Sequence, residues 1–105
     1  MKSNKHFFIF IFSKARGGIS AGAYLISGDG GFVDADAFTC RSNALSCAAY
    51  SLERALMAAQ AMGCSDVTVC ADEATLKSLK ESCTKLLRRF SHVSFEPVSS
   101  NPAEK

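Results

Sequence analysis

Few side chains in this sequence combine a reactive type with a useful spacing. Cys47 could serve as a nucleophile, but a thiol needs a nearby base and an electropositive setting to react. The two histidines, His6 and His92, fall at the starts of predicted strands, with no spacing that indicates a Cys–His dyad. We therefore interpret Cys47, which lies in an alanine-rich segment, as a packing residue and both histidines as surface residues that flank strands.

Carboxylates are the other candidates for chemistry. Asp72 follows a short β-branched segment, so it would stand where a strand ends and a helix begins. Asp34 and Asp36 share one face of a strand-like segment, and Asp29 lies in the adjacent turn, so this group could in principle bind a metal ion. Charged residues that deter edge pairing on an exposed strand are commoner. We therefore predict no metal site here.

Basic and polar residues could converge at one end of the predicted sheet. Basic side chains and an Asn amide are groups that contact phosphate and ribose, and an alternative interpretation is a solvated turn followed by a helix cap. These candidate nucleic-acid-binding residues are Lys14, Arg16, Arg41, Ser42 and Asn43. A second basic series is better explained as a solvated helical face; it comprises Lys77, Lys80, Lys85, Arg88 and Arg89.

Length and composition indicate one folded domain. A chain of 105 residues suits a single core, and a hydrophobic content of 48% argues against intrinsic disorder. We expect one domain over 1–105, with a core of about residues 6–98 and a frayed tail at 99–105. The net charge of +2, from 12 Lys+Arg and 10 Asp+Glu, is too small to indicate nucleic-acid binding by itself.

The cysteines indicate a reducing compartment. Their odd number, without CxxC or Cys/His clustering, is poor support for disulfides or a zinc site, so we predict free thiols and a cytoplasmic location. The five are Cys40, Cys47, Cys64, Cys70 and Cys83. The apolar run after Lys2 and Lys5 is shorter than a signal peptide requires and too short to span a membrane, so we predict neither secretion nor membrane insertion.

The stretch from His6 to Phe12 is the element on which the rest of the chain depends. Its six consecutive large apolar residues predict a strand at the centre of a sheet, buried on both faces. We predict a turn at 13–18, then a second strand at 20–26 whose small residues permit close backbone approach. Asp-Gly in the following turn indicates a hairpin to a third strand at 32–40. The first forty residues are thus predicted to form an antiparallel meander.

The second half of the chain alternates helices and strands. Apolar residues at spacings of three and four predict an amphipathic helix over 44–62, capped by Ser42 or Asn43 and ended by Gly63. A β-branched strand follows at 66–71, and a strand joined by a crossover helix implies parallel pairing.

Residues 73–90 have helical propensity and could form one helix or two; if there are two, we expect the break near 81–83. The last strand is predicted at 93–98, where Pro97 suits a sheet edge because it donates no ladder hydrogen bond.

The element order β-β-β-α-β-α-(α)-β resembles the ribonuclease H-like fold, an α/β architecture with a five-stranded mixed sheet. Short segments agree with the family in order and spacing. They are Ser13-Lys14-Ala15 with Arg16-Gly17-Gly18, Ser20-Ala21-Gly22-Ala23-Tyr24, Ser42-Asn43, Val67-Thr68-Val69-Cys70-Ala71-Asp72-Glu73 and Ser100-Asn101-Pro102-Ala103. The resemblance covers roughly residues 6 to 101.

The resemblance implies a nuclease site, but the residues depart from it. The family cleaves RNA with acidic residues that hold two divalent metal ions, magnesium or manganese, which require oxygen ligands. The first-strand acid falls on Ser13, or on Phe12 if the loop is shifted by one, and the first-helix acid falls on Cys47. Only Asp72 is retained. The nearest acid on the predicted helix, Glu53, lies about 9 Å beyond Cys47 along the helix axis, too far away to replace the acid expected at Cys47. The sequence ends at Lys105, where the family's last acid and final helix would lie.

We therefore expect a truncated ribonuclease H-like pseudoenzyme that needs no cofactor. Its predicted function is nucleic-acid binding, with RNA or an RNA–DNA hybrid as partner, or protein assembly. The alternative is a divergent ribonuclease H-type hydrolase that uses Asp72 with magnesium or manganese. Because the sequence is rich in phenylalanine and would lack a covering helix, we also expect an exposed apolar face and a homodimer.

Overall fold

The computed structural model describes residues 5–98, which form five strands and three helices. The strands are β1 (His6–Arg16), β2 (Ile19–Gly28), β3 (Gly31–Cys40), β4 (Asp66–Ala71) and β5 (His92–Pro97). The helices are α1 (Ala44–Ala61), α2 (Glu73–Ser82) and α3 (Thr84–Leu87). The predicted frayed tail at 99–105 and the family-like segment at 100–103 lie outside the described residues.

One mixed sheet contains all five strands, in the order β3-β2-β1-β4-β5. β1, β2 and β3 are antiparallel, whereas β4 pairs in parallel with both β1 and β5. The predicted meander, the parallel crossover and the central place of β1 are thereby confirmed. β5 is an edge strand, as expected from Pro97.

The central strand is buried on one face only. Phe7, Ile9 and Ile11 are buried, while Phe8 is 38% exposed and Phe12 is 55% exposed. The prediction that this stretch is buried on both faces was therefore wrong. The physical reason is that the buried side chains of the helices and of β1 belong to one core cluster, so the helices cover one face of the sheet. The even-numbered side chains of β1 lie on the open face.

β1 also continues further than its composition indicates. The residues from Ser13 to Arg16 were predicted as part of a turn, but they pair with β2, from Ser13 opposite Gly22 to Arg16 opposite Ile19. The turn is confined to Gly17 and Gly18, whose positive φ angles of 60° and 81° suit glycine. All four residues from Ser13 to Arg16 are at least partly exposed, so polar side chains can occupy this part of the strand.

α1 packs across the sheet through a narrow apolar face. Its N-cap is Asn43, whose Oδ1 accepts a hydrogen bond of 2.7 Å from the backbone N–H of Ser46. The helix ends at Met62 and Gly63, and Gly63 has a φ of 79°. These ends agree with the prediction. The buried residues of α1 are Cys47, Ala48, Ser51, Leu52, Ala55, Leu56 and Ala59.

The expected break after α2 is confirmed. Cys83 ends α2 and precedes α3, with a φ of −110° and a ψ of 25° that leave the α-helical region. Leu76 and Leu79 of α2, with Leu87 of α3, pack into the same core as α1. Within the described part of the chain, no helix is both long enough and apolar enough to cross a membrane.

Candidate functional site

The sequence-predicted residues gather at one end of the sheet. Ala15 pairs with Ser20, and Ser20 pairs with Cys40, so the end of β1, the start of β2 and the end of β3 lie side by side. Phe10 pairs in parallel with Cys70, which brings the carboxyl end of β4 to the same end of β1. Residues that follow β3 and β4 therefore lie at the same end of the sheet as the Ser13 to Arg16 segment.

Ser13 and Asp72 line one small cavity of about 140 Å³, together with Thr75 and Val98. Both side chains are half-buried. Asp72 is the N-cap of α2, and its Oδ1 accepts a hydrogen bond of 2.8 Å from the backbone N–H of Thr75. The carboxylate thus has a structural partner that accounts for its position at the end of β4.

Cys47 of α1 lies against Gly22, the residue of β2 that is the strand partner of Ser13. Gly22 pairs with Ser13, and a Cβ built at Gly22 would stand 2.8 Å from the Sγ of Cys47. The Ser51 hydroxyl, which also faces Gly22, donates a hydrogen bond of 2.9 Å to the Cys47 carbonyl within this turn of α1. Ser13, Cys47 and Asp72 thus lie at one end of the sheet, but Cys47 does not line the cavity that the other two share.

The surroundings of Cys47 do not activate its thiol as a catalytic nucleophile. Its side chain is fully buried, and burial, followed by the neighbouring Cys40 thiol, raises its pKa to about 11. A catalytic thiol needs the opposite shift. His6 donates to or accepts from the Thr68 hydroxyl at 2.9 Å, and His92 contacts Asp66 at 3.2 Å. Both histidines lie at the amino ends of β1 and β5, at the opposite end of the sheet from Cys47.

Ser13, Cys47 and Asp72 do not suit a pair of hard divalent metal ions as ligands. Together these side chains offer one neutral hydroxyl, one buried thiol and one carboxylate, whereas magnesium and manganese require several oxygen ligands. Within residues 5–98, no three His, Cys, Asp or Glu side chains are grouped so that they could hold a metal ion.

The other acids considered from the sequence are engaged elsewhere. Glu53 lies near the junction of α2 and α3, where its charge contributes to the raised pKa of Cys83, after the larger effect of burial. On the edge strand β3, Asp34 accepts a 2.9 Å hydrogen bond from the Tyr24 hydroxyl, and Asp36 accepts one of 2.8 Å from Ala37 N–H. None of these contacts directs an acid toward Ser13.

Three cations converge at the same end of the sheet. Lys14 and Arg16 are exposed at the end of β1, and Arg41 is exposed directly after β3. The Ser20 hydroxyl donates to the Ser42 carbonyl, which ties the β3–α1 junction to the β1–β2 hairpin. Among residues 5–98, none of these three cations forms an ion pair.

The candidate polar residues beside them differ in availability. The Ser42 side chain is exposed, whereas the Asn43 side chain already accepts a bond as the α1 cap. The second basic series lies on and beyond α2, away from this group. Its Lys80 ammonium lies 4.9 Å from the centre of the Phe95 ring, which is a structural cation–π contact.

Two residues at this end were not singled out from the sequence. Gly22 gives α1 the room to approach β2, and Cys40, which pairs with Ser20, lies at the same end of the sheet as Cys47. The small residues of β2 indicated a close backbone approach, but they did not indicate which helix residue approaches.

Comparison with solved structures identifies the fold. Ribonuclease H1 of the halophilic archaeon Halobacterium salinarum NRC-1 is 21% identical, with a TM-score of 0.73 over 89% of this chain and 85% of that one. The N-terminal ribonuclease H domain of a Mycobacterium tuberculosis protein, solved as a fusion with maltose-binding protein, is 14% identical, with a TM-score of 0.78 over 96% and 87%. LC11 ribonuclease H1, in complex with an RNA/DNA hybrid, is 16% identical, with a TM-score of 0.70 over 93% and 86%.

This chain therefore has a ribonuclease H-like fold, as its element order predicted. At these identities the likeness is one of fold. The sequence matches no protein-family model and no curated protein.

Proposed function

We propose that this chain is a non-catalytic ribonuclease H-like domain that binds nucleic acid at the end of its sheet. The observation that carries the proposal is the convergence of Lys14, Arg16 and Arg41 through the pairing of Ala15, Ser20 and Cys40. Exposed cations without an ion-pair partner among residues 5–98 are available for phosphate groups, which supply most of the affinity in nucleic-acid binding.

The first turn of α1 adds to this surface. Ser42 and Asn43 immediately precede the helix, whose N-terminus carries a partial positive charge that favours phosphate. An RNA or RNA–DNA hybrid is the partner we propose, and one structure with the same fold is a complex with an RNA/DNA hybrid.

The proposed loss of catalysis follows from the donor set. A two-metal mechanism needs carboxylates on both sides of the ions, whereas the cavity that Asp72 lines offers the hydroxyl of Ser13, and the thiol of Cys47 is fully buried outside it. The competing proposal is a divergent nuclease that uses Asp72 with magnesium or manganese. Incubation of the protein with an RNA–DNA hybrid and either ion should give no cleavage. Cleavage that disappears in Asp72→Asn would establish the nuclease.

The binding proposal is tested by fluorescence anisotropy with labelled single-stranded RNA and hybrid at several salt concentrations. The Lys14→Ala/Arg16→Ala variant should bind more weakly, with the slope of log K against log salt reduced by about 1.4 to 1.8. The control is Lys77→Ala/Lys85→Ala, which removes the same charge from exposed positions on α2 and α3. Equal losses in both variants would mean that net charge, and not this site, governs binding.

Protein assembly is a second proposed function, favoured by the open face of the sheet. Helices cover the opposite face, and this one presents exposed Phe8, Phe12 and Leu25 beside a shallow, largely apolar hollow of about 510 Å³. Contiguous exposed apolar surface of this kind is typical of interaction sites. We propose that a second copy of the chain covers it, giving a homodimer, which sedimentation velocity over a range of concentrations would detect.

A further inference from the structure

Two thiols meet where β3 passes into α1. Cys40 is the last residue of β3 and pairs with Ser20, and residues directly opposite each other in antiparallel strands project to the same face. Ser20 and Gly22, two residues apart on β2, share that face, and the Sγ of Cys47 lies over Gly22. The Cys40 and Cys47 side chains therefore occupy neighbouring positions between the sheet and the first turn of α1.

The Cys40 thiol also acts on Cys47 electrostatically: after burial, it is the next largest cause of the raised pKa of Cys47. The segment between the cysteines is also held in place. The Ser20 hydroxyl donates to the Ser42 carbonyl, and the Cys47 N–H donates to the Asn43 carbonyl at 3.1 Å.

The two thiols differ in their access to solvent. Cys40 is half-buried, whereas Cys47 is fully buried. The remaining three cysteines are buried as well, and each donates to a backbone carbonyl: Cys64 to Asp66 at 3.0 Å, Cys70 to Thr68 at 3.9 Å and Cys83 to Ala49 at 3.7 Å. Cys40 is therefore the thiol that an oxidant in solution reaches first.

We propose that Cys40 and Cys47 form a redox pair that closes to an intramolecular disulfide when the protein meets a peroxide. The Cys40 thiol gives up its proton and its sulfur attacks one peroxide oxygen; the O–O bond breaks, the departing hydroxide takes that proton to become water, and Cys40 becomes a sulfenic acid. The Cys47 sulfur then displaces the hydroxyl from Cys40, forming the S–S bond and releasing a second water that takes the Cys47 proton. Two thiols are oxidised, and one peroxide is reduced to two waters.

This role goes beyond nucleic-acid binding and does not depend on it. A sulfenic acid without a resolving thiol continues to sulfinic and sulfonic acids, which are irreversible in most proteins. Capture by Cys47 would keep oxidation of Cys40 reversible by thiols. Only six residues separate the two cysteines, so the disulfide closes a short loop at the β3–α1 junction and requires no rearrangement of the sheet.

Tryptic peptide mapping tests the pair directly. The folded, full-length protein is treated with a small excess of hydrogen peroxide, denatured, alkylated and digested without reduction. Cleavage after Arg16, Arg41 and Arg54 places Cys40 in peptide 17–41 and Cys47 in peptide 42–54. We expect these peptides to be joined, with a mass lower by two hydrogen atoms than the sum of the reduced pair, and to separate on reduction. The other three cysteines should be recovered as alkylated thiols.

Matched variants separate this pairing from general oxidation. In Cys47→Ser, Cys40 should become sulfinic or sulfonic acid that dithiothreitol does not reverse, while Cys83→Ser should retain the linked peptides. Separate recovery of the two peptides from oxidised wild-type protein, or linkage of Cys40 to other cysteines in comparable amounts, would overturn the proposal. The wild-type map decides the question even if a variant does not fold.

Discussion

The Sγ of Cys47 lies 2.8 Å from the point where a side chain at Gly22 would begin. The Cys47 carbonyl oxygen lies 3.0 Å from the same point, and the Ser51 hydroxyl lies 2.5 Å from it. The first two turns of α1 therefore rest directly on the backbone of β2, beside the strand residue that pairs with Ser13. This contact sets the distance between the helix and the end of the sheet where the candidate residues gather.

We expect Gly22→Ala to destabilise the protein by about 1–3 kcal/mol, because the added methyl group overpacks a site bounded partly by backbone. The Ser51 hydroxyl can rotate away, but the Cys47 carbonyl can move only with the helix. Urea unfolding measures the change. Gly30→Ala is the matched control, since a Cβ there meets nothing within 4 Å and Gly30 does not have a positive φ. Equal stability of the two variants would show that α1 adjusts without cost.

Replacing Asp72 separates its structural role from a catalytic one. Asp72→Ala removes the α2 cap and should lower the free energy of unfolding by about 1 kcal/mol, whereas Asn is an equally good cap and should preserve it within a few tenths. Thermal or urea unfolding of the two variants measures this difference. A loss in Asp72→Asn as large as that in Asp72→Ala would mean that the carboxylate charge, and not the cap to Thr75, is what the fold requires.

The sequence was sufficient to predict the order of the strands and helices, but it did not indicate which face of the sheet the helices cover. Alternation identifies the buried side of a strand, but the residues from Phe7 to Phe12 are all apolar, so β1 gave no sign of which face the helices cover. Its open face carries Phe8 and Phe12 because α1, α2 and α3 contribute to a single core on the other side. That arrangement depends on the packing of distant segments.

The end of β1 was missed for a related reason. Ser13 to Arg16 read as a turn by composition, but strand residues at an exposed end need no apolar side chains when their backbone groups are paired. The sequence indicated that the candidate residues could converge at one end of the sheet, but not that Ser13 and Asp72 share a cavity from which Cys47 is absent. The neighbouring positions of Cys40 and Cys47 depend on the pairing of β3 with β2, which no short-range pattern specifies.

Stability should fall in alkaline solution, and Tyr24 should account for part of the loss. Burial, with the hydrogen bond to Asp34 as a second cause, raises the pKa of Tyr24 to about 12 from an ordinary value near 10. Because the folded state holds this proton more tightly, the stabilisation is complete below about pH 10 and is lost as the pH rises through about 12. The buried thiols of Cys47 and Cys83, whose pKa values are raised to about 11, act in the same direction from a lower pH.

The measurement is urea unfolding of wild-type protein and Tyr24→Phe at about pH 8 and about pH 11. At the lower pH the variant should be less stable by about 1 kcal/mol, since Asp34 loses its donor. The difference in the free energy of unfolding between the two proteins should be smaller at the higher pH, because only the wild type loses the stabilisation that comes from the raised pKa of Tyr24. A gap that stays constant between the two pH values would contradict the role assigned to Tyr24.

The open face of the sheet provides the last prediction. If two copies associate through it, Phe12→Glu should shift the protein toward monomer, because a charge at the centre of an apolar contact would be buried without a partner. Met57→Glu is the control: Met57 on α1 is 53% exposed, close to the 55% of Phe12, but it lies on the helical side of the molecule. Sedimentation velocity at several concentrations should give a lower mean mass for Phe12→Glu alone. An unchanged distribution in Phe12→Glu, or the same shift in Met57→Glu, would exclude this face as the contact between copies.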